Sequence, residues 1–271
     1  MEQINWRISP AATLAKYLFT TQTESAVLPP EWQSVMPRIA ENASKLGISA
    51  AAFSSSSRFV DALEPLITSK RLPELFAGIA EPITEQITNE VSLRTSQLKH
   101  HWLVRGPSFI ELLEQYCPLF NFVVLDLWTT IPVQQGDRAT APMLLGENYH
   151  AALFTASLHD SNPFIPEVMR PAYIATYFAI KTQLPRDLDV SNLQHHLSLA
   201  SCRLTLSLGN EIELSSVDKA SFETAVELWI GVPAPLLAEE VWEMSKEIHQ
   251  LSDLTDFCLN WIVQADPGET R

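Results

Sequence analysis

Apolar residues recur at helical spacing along most of the chain. Ser9 and Pro10 read as an N-cap and first helical residue ahead of Leu14, Tyr17 and Leu18, predicting a short helix over 9–21. A second helix begins at Pro30, carries Trp32, Val35, Met36, Ile39 and Ala43 on one face, and stops at Gly47, which suits a left-handed C-terminal cap. Pro37 either kinks it or delays its start. The run Ser54 to Ser57 offers caps to a helix with Phe59, Val60, Leu63, Leu66 and Ile67 on one side. The clearest period starts at Pro82, where Ile83, Ile87, Val91, Leu98 and Trp102 share a face up to Gly106. Pro107 and Ser108 then open a shorter helix with Phe109, Leu112, Leu113 and Tyr116 inward, ended by Pro118.

The texture changes after Pro118. Phe120 to Ile131 is dense in β-branched and aromatic residues, which predicts a strand, and Tyr149 to Leu158 gives a second, although its alanines also fit a helix. From Pro166 the helical period returns, with Pro171 marking a start or a kink and Tyr173, Ile174, Tyr177 and Phe178 forming an aromatic stripe. Leu193, Leu197, Leu204 and Leu208 suit a helix, yet Leu204, Leu206 and Leu208 alternate up to Gly209-Asn210, with Ile212 and Leu214 beyond. A helix ending near Ser201 followed by a hairpin across Gly209-Asn210 satisfies both patterns. Ser216 caps a further helix through Phe222, Val226 and Trp229. After Gly231 and Pro233, Leu237, Val241, Met244, Ile248 and Leu251 fall at spacings of a heptad seam.

These patterns predict a mainly α fold, a helical bundle-like globular protein with a small β element in the middle of the chain. It forms a single domain over 1–271, or two packed lobes, a helical N-terminal lobe of 1–117 and a mixed lobe of 118–271 with a helical acidic C-terminus. Composition supports the helical reading, because only 8 of 271 residues are glycine. The longest run without a charge, Val190 to Cys202, is too short to cross a bilayer, and no apolar block follows the first residues as a secretory signal requires. The expected location is therefore the cytoplasm. Net charge is −14, and from Thr205 to Arg271 there are 13 acids against 3 bases. That acidic end repels phosphate backbones and anionic lipid, so neither nucleic acid nor membrane is an expected partner.

The search for chemistry yields little. Phosphate-cradling glycine loops, CxxC, HExxH and a GxSxG elbow are all absent. Cys117, Cys202 and Cys258 lie far apart in apolar surroundings and read as buried, reduced thiols. The adjacent pairs His100-His101 and His195-His196 diverge on a helix, leaving one ring of each on the surface. Arg105-Gly106-Pro107 reads as a tight turn with Gly106 at positive φ, and Gly136-Asp137-Arg138 as an exposed loop; either arginine could bind an anion or pair with a nearby acid. The seven tryptophans are dispersed, as core anchors are.

Two functional readings follow. One is a non-catalytic protein that binds a protein partner, or a second copy of itself, through its C-terminal helices, with Leu237, Val241, Trp242, Met244 and Ile248 as contacts. An exposed Trp242 beside Glu239, Glu240 and Glu243 would complete that patch. The alternative is a metal-dependent enzyme with a non-sequential site around Glu147, His150 and His159, built on the ExxH spacing of Glu147 and His150. That reading requires the three side chains to converge, and no cofactor or catalytic residue is otherwise legible.

Overall fold

The computed structural model describes residues 4–13, 33–49, 51–52, 56–79, 81–130, 142–145, 150–155, 165–190, 192–231 and 234–266. The protein is mainly α-helical with one small sheet. Its chain divides into two compact units, each assembled from two separate segments: 1–99 with 125–159, and 100–124 with 160–271.

The first unit holds the sheet. Strands β1 (Ile4–Ile8), β2 (Leu125–Thr130), β3 (Met143–Leu145) and β4 (Ala151–Thr155) lie in the order β1-β2-β4-β3. β2 runs parallel to both β1 and β4, and β3 closes the edge antiparallel to β4. A central parallel strand is covered on both faces, so β2 is buried along nearly its whole length. Asp126 is tolerated there because Arg7 of β1 grips its carboxylate with two bonds, from Nε at 3.0 Å and Nη2 at 3.3 Å.

Three helical segments supply the core of this unit: α1 (Met36–Lys45), α2 (Ser56–Thr68) and the first half of α3 (Glu81–Tyr116). Their apolar stripes, Ile39 and Ala43, then Phe59, Leu63, Leu66 and Ile67, then Ile87 and Val91, enclose one cluster with Ala151 and Leu153 of β4. Buried Asn42 donates both amide hydrogens, to the carbonyls of Leu75 and Ala77 at 2.9 Å each, and so fixes α1 to the 3-10 turn Leu72–Phe76.

The second unit is helical. It takes His100–Tyr116 of α3, the 3-10 turn Pro118–Phe122, and helices α4 (Met169–Gln183), α5 (Gln194–Glu211), α6 (Lys219–Trp229), α7 (Pro235–Ser245) and α8 (Leu251–Gln264). Every residue of α4 from Met169 to Ile180 is buried, and so is every residue of α5 from Leu197 to Leu206. Tyr173 of α4 stacks on Trp229 of α6 with ring centroids 5.3 Å apart. Arg170 and Glu167, both buried, form an ion pair at 2.9 Å.

Several expected boundaries moved. The edge strand β1 has no counterpart in the sequence reading. The strand expected over 120–131 is confined to Leu125–Thr130, because Pro118–Phe122 turns as a 3-10 helix. The hairpin expected across Gly209-Asn210 is absent, since α5 continues to Glu211 and the turn falls at Glu213, with φ of 58°. Leu204, Leu206 and Leu208 are all fully buried, so their alternation reports a helix enclosed on every side rather than a strand. The cap of α6 is Asp218, which accepts from the Ser221 amide at 2.8 Å, rather than Ser216. The heptad seam is not one helix either, because α7 ends at Ser245 and α8 starts at Leu251.

The break expected at Gly106 is also absent, and α3 runs through it. Gly106 is helical and buried, and a Cβ there would sit 2.3 Å from the Trp102 indole one turn earlier. The glycine therefore admits a ring, not a turn. Pro107 removes one backbone donor on a side where Leu103 is exposed, so water can serve the orphaned carbonyl and the helix persists. Gly106→Ala should lower stability by about 1–3 kcal/mol despite alanine's better helix propensity, because the rigid indole must move. Urea denaturation of the two proteins measures the difference, and an alanine variant as stable as the parent would contradict the packing argument.

Candidate interaction surface

The residues proposed for a metal do not assemble into a site among the described residues. Glu147 and His159 lie outside them. His150 is half-buried ahead of β4, and its backbone carbonyl accepts from the Asp126 amide at 3.0 Å. No group of three or more His, Cys, Asp or Glu side chains placed to hold a metal ion occurs among the described residues.

The other candidates resolve individually. Cys117, Cys202 and Cys258 are free and buried, and loss of hydration pushes Cys117 and Cys258 up to about 12 and Cys202 well above the ordinary thiol value. His100 and His101 are both exposed, against the expectation of one, since the α3 surface leaves each uncovered. Arg105 is exposed on α3, and Arg138 lies outside the described residues. His196 is half-buried against Trp261, ring centroids 4.7 Å apart. Loss of hydration lowers its pKa, Glu240 opposes that shift, and His195 adds to it.

The C-terminal contact residues divide between two sides of α7. Val241, Trp242 and Ser245 face inward. Trp242, expected on the surface, is only 8% exposed, stacked on Phe222 of α6 with centroids 5.6 Å apart. The guanidinium of Arg203 from α5 also lies over the indole, 5.5 Å from its centroid. That guanidinium is itself buried, and no carboxylate pairs with it among the described residues. Nε donates to the Ser245 hydroxyl at 3.0 Å, Nη2 to the Ser245 carbonyl at 3.1 Å, and Nη1 to the Ser207 hydroxyl. The Ser245 carbonyl ends α7, where the helix dipole favours a cation. Loss of hydration pulls the Arg203 pKa down from its ordinary value, yet an arginine so placed stays charged at neutral pH.

The opposite side of α7 carries two large exposed apolar side chains. Leu236 is 85% exposed and Met244 54%, on one face at i and i+8 with exposed Glu240 between them. Leu237 and Ile248 are half-buried. Acids lie along the α6 side of this face. Lys219 of α6 donates to Glu239 at 2.8 Å, and its pKa is raised by that bond and further by Glu223 and Glu243. One ammonium therefore sits among carboxylates from two helices. Glu240 accepts from the Trp261 indole of α8 at 3.0 Å, and Lys246 pairs with Glu243 at 2.5 Å.

Sequence reasoning found the acidity of this region and Met244, and missed Leu236 and Arg203. The signal for Leu236 was its i, i+4, i+8 relation to Glu240 and Met244. The signal for Arg203 was a lone base inside the apolar run of α5. No helix among the described residues is long and apolar enough to cross a membrane. No protein-family model matches the sequence, and neither a curated protein nor a solved structure matches it.

Arg203→Lys should cost about 2–3 kcal/mol, because an ammonium on a flexible stem cannot reach Ser207 and both Ser245 oxygens from one planar fork. Chemical denaturation reads the loss, and an unchanged midpoint would mean that these bonds carry no net stability. The three thiols should react with Ellman's reagent slowly in the native protein and at once in denaturant. A single fast native thiol would instead point to an activated cysteine.

Proposed function

We propose that the chain is a non-catalytic protein-interaction protein that engages a protein partner through the outer face of α6 and α7. The observation that carries this reading is the pairing of two large exposed apolar side chains, Leu236 and Met244, with a helix whose inner side is fixed by Arg203 and Phe222. Apolar groups held on a rigid element and flanked by charge are the usual make-up of a contact patch. Self-association through the heptad-like residues is the weaker form of the idea. Val241 and Trp242 are buried within their own unit, and two copies of one acidic face repel each other.

A photo-reactive amino acid at Leu236, in the full chain expressed in the cells that naturally make it, tests the proposal. A discrete cross-linked protein band is expected from Leu236 and none from the exposed control position Asp187 on the same unit. Equal labelling at both positions, or no band at Leu236, would remove the reading.

A further inference from the structure

We infer that the occupant of this surface is a basic amphipathic helix, laid along α7 with its apolar residues on Leu236 and Met244 and its lysines or arginines among the surrounding glutamates. The inference rests on the interaction reading above and adds the chemistry of the partner.

Three observations select that occupant. The first is the spacing of the apolar anchors. Leu236 and Met244 lie eight residues apart on one helix face, about 12 Å at 1.5 Å per residue, so a facing helix meets both with apolar residues seven or eight apart. The second is the sign and arrangement of charge. Exposed Glu223 and Glu227 of α6, and Glu239, Glu240 and Glu243 of α7 with Glu247 beyond it, stand against two lysines only. Both lysines are already engaged by members of the set, Lys219 by Glu239 and Lys246 by Glu243. A surface of this kind attracts cationic side chains and repels acidic segments, nucleic acid and a second copy of itself. The third is that the pairs are exposed. Such surface ion pairs contribute little and exchange partners readily, so an incoming base can take a carboxylate without disturbing the fold. Apolar anchors alone would admit many partners, and acids alone would admit any polycation. Their combination requires both features in one segment, in helical register.

The probe is a fluorescent helical peptide with leucines eight apart and lysines between, compared with a peptide of identical composition in scrambled order, by anisotropy against the full chain. The ordered peptide is expected to bind at least about tenfold more tightly than the scrambled one, and more weakly as salt rises. L236S/M244S should lose about tenfold in affinity for the ordered peptide while leaving the scrambled one unaffected, since both side chains are exposed and their loss opens no cavity. E239Q/E243Q, which keeps size and hydrogen bonding, should weaken both peptides and flatten the salt dependence. Equal binding of the two peptides, or no effect of L236S/M244S, would overturn the inference, because bulk charge would then explain the attraction. The cross-link from Leu236 separates this failure from failure of the wider reading. A band that persists under saturating ordered peptide leaves an interaction surface in place and removes the basic helix, whereas a band abolished by that peptide supports both.

Discussion

A buried guanidinium that no carboxylate pairs with among the described residues organises the second unit. Taking a cation out of water costs several kcal/mol, and a well-placed anion is the usual offset. Arg203 is held by other means: a helix-terminal carbonyl, two serine hydroxyls and the face of an indole. Each is weaker than a carboxylate, but together they give all three guanidinium nitrogens an acceptor. The arrangement also ties three helices at one point. α5 contributes the arginine, α7 ends on it, and α6 stacks Phe222 on the Trp242 ring. The outer face of α7 is therefore presented by an element that has little freedom to rotate.

The first unit uses the same economy of polar contacts in a different setting. Its parallel strands come from distant parts of the chain, with Ile4 opposite Leu125 and Asp126 opposite Ala151. Backbone pairing alone does not identify a partner strand. The Arg7–Asp126 pair marks β1 and β2 for each other, and the hydroxyl of Thr129 meets that of Thr95 from α3 at 2.5 Å. In both units a few polar groups, most of them buried, specify which elements meet, while the apolar surfaces supply most of the driving force.

The sequence disclosed the helices whose two sides differ. α1, α2 and the part of α3 before Gly106 each carry an apolar stripe against a polar one, and each was legible from its period. α5 misled because it is enclosed on all sides, so its leucines carry no facing information and a strand alternation emerged by coincidence. Gly106 misled for a different reason: glycine marks a place where a side chain does not fit, and the obstacle here was the Trp102 ring rather than a reversal of the chain. β1 left little trace because an edge strand of five residues is defined by a partner more than a hundred positions away. The candidate surface was half visible. Its acidity could be counted, but which side of α7 faces outward depends on Arg203 and Phe222, whose positions arise only in the folded chain.

The interleaving of the two units has a consequence for how the molecule is made. The first unit needs 125–159 in addition to 1–99, and the second needs 100–124 in addition to 160–271. A single cut anywhere in the backbone leaves at least one unit incomplete. During synthesis β2 follows β1 only after α1, α2 and the whole of α3. Until then β1 lacks the strand it pairs with, and more than a hundred residues of elongation separate the two. A short strand carrying a charge, as β1 does with Arg7, is a poor template for foreign strand edges in that interval.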